Sequence, residues 1–114
     1  MSALRYQLTR QADADVMDIL RETERQFGPR QRDAYADIIA KAAEMVAESP
    51  ERPASRPRPD LAEGVRSLHL DHAAGRLGAA AHILYYLQGR LSNGETGTIV
   101  VRILHERMDP LRHV

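Results

Sequence analysis

The segment Arg102-Ile103-Leu104-His105-Glu106-Arg107-Met108-Asp109 holds the densest set of side chains able to do chemistry. Cutting a phosphodiester beside a 2′-hydroxyl requires a base for that hydroxyl, an acid for the leaving oxygen and cations for the phosphate. Arg102, His105 and Arg107 could supply part of this set. Alternation along a strand sends Arg102 and His105 to opposite faces, which separates them. The tail beyond Met108 has no Tyr, and the single Lys is the distant Lys41. Ser67, His69 and Asp71 share one strand face at intervals of two. Such neighbours lie about 7 Å apart, too far for short side chains to bond directly. A solvated strand face accounts for them better than a triad. His69, Asp71 and His72 lack the further ligand that would define a metal site. The sequence therefore assigns no catalytic residue, no metal and no cofactor.

These residues must be held by elements that can be read from periodicity. Residues 4–8 alternate and read as a strand, and Thr9 suits a helix N-cap. Ala12, Val16, Ile19, Leu20, Thr23 and Phe27 then form one helical stripe, expected to be core. Asp13, Asp15 and Asp18 lie in the first half of that helix, where its dipole favours negative charge. Gly28-Pro29 ends this helix and starts a second over about residues 30–48. Tyr35, Ile38, Ile39, Ala42, Met45 and Val46 make its main apolar face. Ala36, Ala40, Ala43 and Ala47 make a small-residue face beside it, so more than one side should be covered.

Residues 51–60 contain Pro53, Pro57 and Pro59 and read as an extended loop. Residues 65–71, 81–88 and 98–105 read as three strands, the last two joined across Asn93-Gly94. Tyr85 and Tyr86 face opposite ways, one toward the core and the other toward a possible partner surface. The connection over 72–80 is long and loose. The order of strand, two helices and then strands favours an α+β fold. In it a helical hairpin packs on a largely antiparallel sheet of about four strands. The opposite sheet face is expected to be partly open, and an open face or edge suits a partner peptide.

The chain has 114 residues, 43% of them hydrophobic and 28% charged, which fits one globular domain spanning residues 1–114. Net charge is zero, which argues against direct DNA binding by this chain alone. The absence of Cys excludes a disulfide framework. No apolar run reaches membrane-span length and the N-terminus lacks signal-peptide order, so a cytoplasmic location is expected.

Several segments resemble ParE-type toxins of the RelE/ParE superfamily. Tyr6-Gln7-Leu8-Thr9 with Ala12, Asp15, Val16 and Ile19 resembles their opening. Phe27-Gly28 with Ala34 and Tyr35 resembles their helix junction. Arg56-Pro57-Arg58-Pro59 and Gly64-Val65-Arg66-Ser67-Leu68 are similar to their loop and following strand. His82-Ile83-Leu84-Tyr85-Tyr86 is similar to their aromatic-ended strand, and 102–109 is the most specific match. The longer 72–80 connection and the extended 91–97 turn depart from the family pattern.

The resemblance implies a bacterial type II toxin, neutralised by a ParD-like antitoxin whose amphipathic helix lies on the helical hairpin. Val16, Met17, Leu20, Ala36, Ile39, Ala40, Ala43 and Ala47 are the expected antitoxin contacts. It implies DNA gyrase as the target, inhibited by protein contact. Arg102, His105, Glu106, Arg107, Met108 and Asp109 are then the expected toxic determinant. The alternative is ribosome-dependent messenger RNA cleavage, as in RelE-type members.

Overall fold

A computed structural model describes residues 5–114. The chain runs β1 (Tyr6–Leu8), α1 (Arg10–Phe27), α2 (Pro29–Glu48), β2 (Arg56–Pro57), β3 (Arg66–His69), α3 (Asp71–Ala74), β4 (His82–Arg90) and β5 (Thr96–His105). A short 3-10 turn, Pro110–Arg112, follows. Of the expected first strand, Leu4 lies outside the described residues.

The sheet order is β1-β5-β4-β3-β2. β1 runs parallel to β5, and the other neighbours are antiparallel. The fold is therefore α+β, with a helix pair on a five-stranded, mostly antiparallel sheet. The fifth strand is β2, two residues of the proline loop that pair with Ser67 and Arg66. Proline is tolerated there because β2 is an edge.

Thr9 caps α1, its hydroxyl oxygen accepting from the Ala12 N–H at 3.1 Å. Gly28 takes φ of 90°, which suits glycine, and lets the chain reverse into α2 with Pro29 in the first turn. The main core joins Ala12 of α1 and Ile39, Ala42, Ala43 and Val46 of α2 to Leu68, Leu84, Tyr86, Val100 and Ile103 of the sheet. A second cluster of Val65, Tyr85 and Leu104 lies apart from it, with Leu61, Val101 and Val114 packed against it.

Three expectations change, and one gains detail. Phe27 completes the α1 stripe yet is 67% exposed, because α1 ends at Phe27 and the main core reaches along α1 only to Leu20. Tyr85 and Tyr86 are both buried, one in each cluster, so neither faces a partner. The face away from the main core is partly covered by the loop carrying Leu61 and Val65 and by the C-terminal Val114. The third strand stops at His69, and Asp71 instead opens the single turn of α3.

Candidate functional site

The C-terminal segment sits where β5 outruns β1. β1 pairs with β5 only through Val100. Beyond that point β5 needs other partners for its backbone, since buried peptide groups must be bonded. The first turns of α1 provide them. The Thr9 N–H donates to the Val100 carbonyl at 3.0 Å and the Thr9 hydroxyl to the Val101 carbonyl at 2.9 Å. The Ile103 N–H donates to Asp15 Oδ2 at 3.0 Å.

Asp15 also receives Arg102 as a two-point fork, Nε to Oδ2 at 2.7 Å and Nη2 to Oδ1 at 2.8 Å. Both side chains are largely shielded, at 17% and 13% exposure. Arg102 Nη1 donates further to the His113 carbonyl at 2.9 Å. Arg102 thus ties α1, β5 and the tail together. A register shift opposite Tyr85/Tyr86, where Val101 is skipped, marks a bulge just before it.

His105 belongs to a different group. Its ring stacks edge-on against His82 with centroids 5.4 Å apart, and His82 meets Tyr35 in the same way at 5.5 Å. The Tyr35 hydroxyl lies 2.6 Å from His82 Nδ1 and accepts the Ala81 N–H at 3.2 Å. Burial, reinforced by neighbouring His105, pushes His82 down to about 4, so the ring is neutral near pH 7. Glu106 Oε2 is 2.7 Å from His69 Nε2, and that bond holds the Glu106 carboxyl below its usual range. Asp71 accepts from the Gly78 and Ala80 N–H groups, which lowers its pKa and pins the 72–80 connection. Ser67, His69 and Asp71 do not assemble as a triad. Ser67 pairs with Tyr85 across the sheet, and His69 Nδ1 accepts from the Asp71 backbone. Among the described residues, no three His, Asp or Glu side chains are grouped as a metal site.

Asp109 accepts from the Leu111 N–H at 3.0 Å and caps the final 3-10 turn. Of the six expected effector residues, Arg102, His105, Glu106 and Asp109 are therefore engaged within the fold. Arg107 and Met108 are exposed, Met108 at 40%. They ride a turn held at one end by the Glu106 N–H to the Ala81 carbonyl, 2.9 Å, and within by the Met108 N–H to the His105 carbonyl, 2.9 Å.

The eight expected antitoxin contacts also divide. Met17 and Ala40 are exposed, and Val16, Leu20, Ala36 and Ala47 are half-buried. Ile39 and Ala43 are buried in the main core and offer a partner no surface in this conformation. The α2 stripe was wide enough for two roles, and packing assigns these two residues to the first.

Residues 6–110 match the family described as ParE toxin of type II toxin-antitoxin system, parDE. The chain belongs to this ParE toxin family. Toxin ParE1 of Caulobacter vibrioides is 28% identical over 109 residues, spanning 96% of each chain. A chain from the chromosomal ParDE TA system from P. aeruginosa shares the fold, with TM-score 0.62 at 20% identity. That match covers 88% of this chain and 92% of the other. As a member of the family, the chain is a toxin of a type II toxin–antitoxin system. Of the residues expected to make contacts, Met17 and Ala40 on the hairpin and Arg107 and Met108 on the C-terminal turn are exposed and carry no other role in the fold. Sequence reading missed the pairing of Asp15 with Arg102. On sequence Asp15 groups with Asp13 and Asp18 as a dipole-favoured carboxylate, and no local signal sets it apart from them.

Proposed function

We propose that this toxin acts by protein–protein contact, inhibiting DNA gyrase in the cytoplasm, and that a ParD-like antitoxin neutralises it by docking on the α1–α2 hairpin. The observation that carries the reading is the turn over 106–109. It presents a free guanidinium and an adaptable thioether on a hydrogen-bonded frame, a form suited to filling a pocket on a partner. The neighbouring Arg102 is spent on Asp15, so the segment works as a presented surface and not as a reaction centre. Met17, 57% exposed on α1, gives the hairpin an apolar anchor for an amphipathic partner helix. No helix among the described residues is long and apolar enough to cross a membrane.

One observation favours messenger RNA cleavage as the second reading. Arg56, Arg58, His69 and His72 gather around a cavity of about 390 Å³. Part of its charge is offset, because Arg58 pairs with Asp60 and His69 with Glu106. The two readings part in a direct test. Purified toxin inhibits supercoiling by gyrase under the first. Codon-phased cuts in messenger RNA within minutes of induction, seen by primer extension, would overturn it in favour of the second.

A further inference from the structure

β4 is longer than the strand beside it. β3 begins at Arg66, which pairs with Tyr86, whereas β4 continues to Arg90. Leu87, Gln88, Gly89 and Arg90 pair with β5 on one side only. The chain that could have continued β3 turns away. The Val65 N–H donates to the Ala62 carbonyl, and the Val65 carbonyl accepts from the Arg58 N–H. Four residues of strand edge, about 13 Å, are left without a protein partner on that side.

Two other stretches of sheet edge are closed within the chain. Thr9 and Asp15 satisfy β5 beyond β1. Pro57 blunts β2, since it has no N–H to offer another strand. The β4 edge instead opens onto a groove of about 620 Å³, walled by Pro57, Pro59, Val65 and Leu87 and by the end of α2 with Glu48 and Glu51. The walls are already fixed. The Tyr86 hydroxyl donates to the Pro50 carbonyl at 2.5 Å, and the Ser55 hydroxyl donates to the same carbonyl at 3.2 Å. The C-terminal end of α2 is met by Arg52, whose Nη1 donates to the Met45 carbonyl at 2.7 Å, so the acidic rim of the groove is carried by the exposed Glu48 and Glu51. Arg66, the one cation on the lining, is turned toward Ser55.

We infer that this groove receives an extended segment of the antitoxin, which adds a short strand to the free edge of β4, seats an apolar side chain against Val65 and Leu87, and sets a Lys or Arg beside Glu48 and Glu51. The inference rests on the toxin–antitoxin reading above and adds a second contact, separate from the helical hairpin, with its own chemistry. Backbone bonds to β4 supply register, the proline-walled pocket selects an apolar side chain, and the acidic rim selects a cation.

The test uses the full chain co-purified with its antitoxin, taken as the protein encoded by the adjoining reading frame. Amide exchange of residues 87–90 is measured by NMR in the free toxin and in the complex. The amides not bonded to β5 are expected to slow at least tenfold in the complex. The exposed double variant Glu48→Lys/Glu51→Lys is expected to bind the antitoxin at least tenfold more weakly while keeping the wild-type spectrum elsewhere. A complex that forms with unchanged exchange at 87–90 overturns the inference and leaves the hairpin docking standing. Unchanged affinity in the double variant overturns the assigned cation. Failure of the two proteins to associate at all overturns the antitoxin reading, and this inference falls with it.

Discussion

Removing the Asp15 carboxylate should unlatch the C-terminal half of β5. Asp15 accepts three hydrogen bonds, two from Arg102 and one from the Ile103 backbone. An exposed ion pair contributes roughly 0–1 kcal/mol, whereas breaking a buried one costs about 3–5 kcal/mol. Exposures of 17% and 13% put this pair nearer the second limit. Asp15→Ala also strands the Ile103 N–H, at about 1–3 kcal/mol, though partial access of water reduces the sum. The expected loss for Asp15→Ala is about 3 kcal/mol, and for Asp15→Asn, which can still accept one bond, about 2 kcal/mol. For a domain of this size that corresponds to a Tm lower by roughly 10–15 °C and 6–10 °C respectively. Urea denaturation of Asp15→Ala, Arg102→Ala and the double variant measures the coupling, expected at about 2 kcal/mol. A cost below about 1 kcal/mol for Asp15→Ala, or strictly additive effects, would refute the latch. The same series separates structure from toxicity at Arg102. Arg102→Ala should lose growth arrest in proportion to lost folded protein.

Arg107→Ala and Met108→Ala should abolish growth arrest with Tm changed by less than about 2 °C, because neither is buried. Growth curves paired with thermal melts check this more cleanly than truncation after Leu104, which would also remove the His113 carbonyl bonded to Arg102 and the packed Val114. Met17→Asp should weaken antitoxin binding at least tenfold without loss of stability. Ala43→Leu should instead destabilise by about 1–3 kcal/mol, since its site in the core is already full. Titration calorimetry and denaturation together distinguish the two. His82 is depressed from the ordinary 6.5 to about 4, foremost by burial, among Tyr35, His105, His69 and Glu106. The unfolded chain therefore takes up that proton first as pH falls. This contribution is complete above pH 6.5 and is lost as pH drops toward 4. Allowing for solvent at a half-buried ring, it amounts to about 1–2 kcal/mol. Tm measured from pH 7 to 4.5 should fall accordingly, and His82→Phe should flatten that slope.

The helices were legible because their signals are local. Thr9 caps α1, Gly28-Pro29 separates it from α2, and the apolar spacing from Ala12 to Thr23 is the spacing that packs. The β4–β5 hairpin was announced by Asn93-Gly94 between two β-rich runs, though both strands extend past the expected ends. Phe27 marks where local signals stop. Periodicity places it on the buried stripe but cannot say where the covering surface ends.

The order of apolar and breaking residues determined by itself that a strand, a helical hairpin and a run of strands would form an α+β domain, since each signal acts within a few residues of chain. Tertiary structure alone decided which ionisable groups remained free. Asp15 and Arg102 are 87 positions apart, and nothing local to either requires the other. They meet because β1 is too short to satisfy β5, and the backbone left unpaired there draws in the first turns of α1. The same mismatch of strand lengths, on the far side of the sheet, leaves the edge of β4 bare, because a strand's end is set by the chain that pairs with it as much as by its own residues.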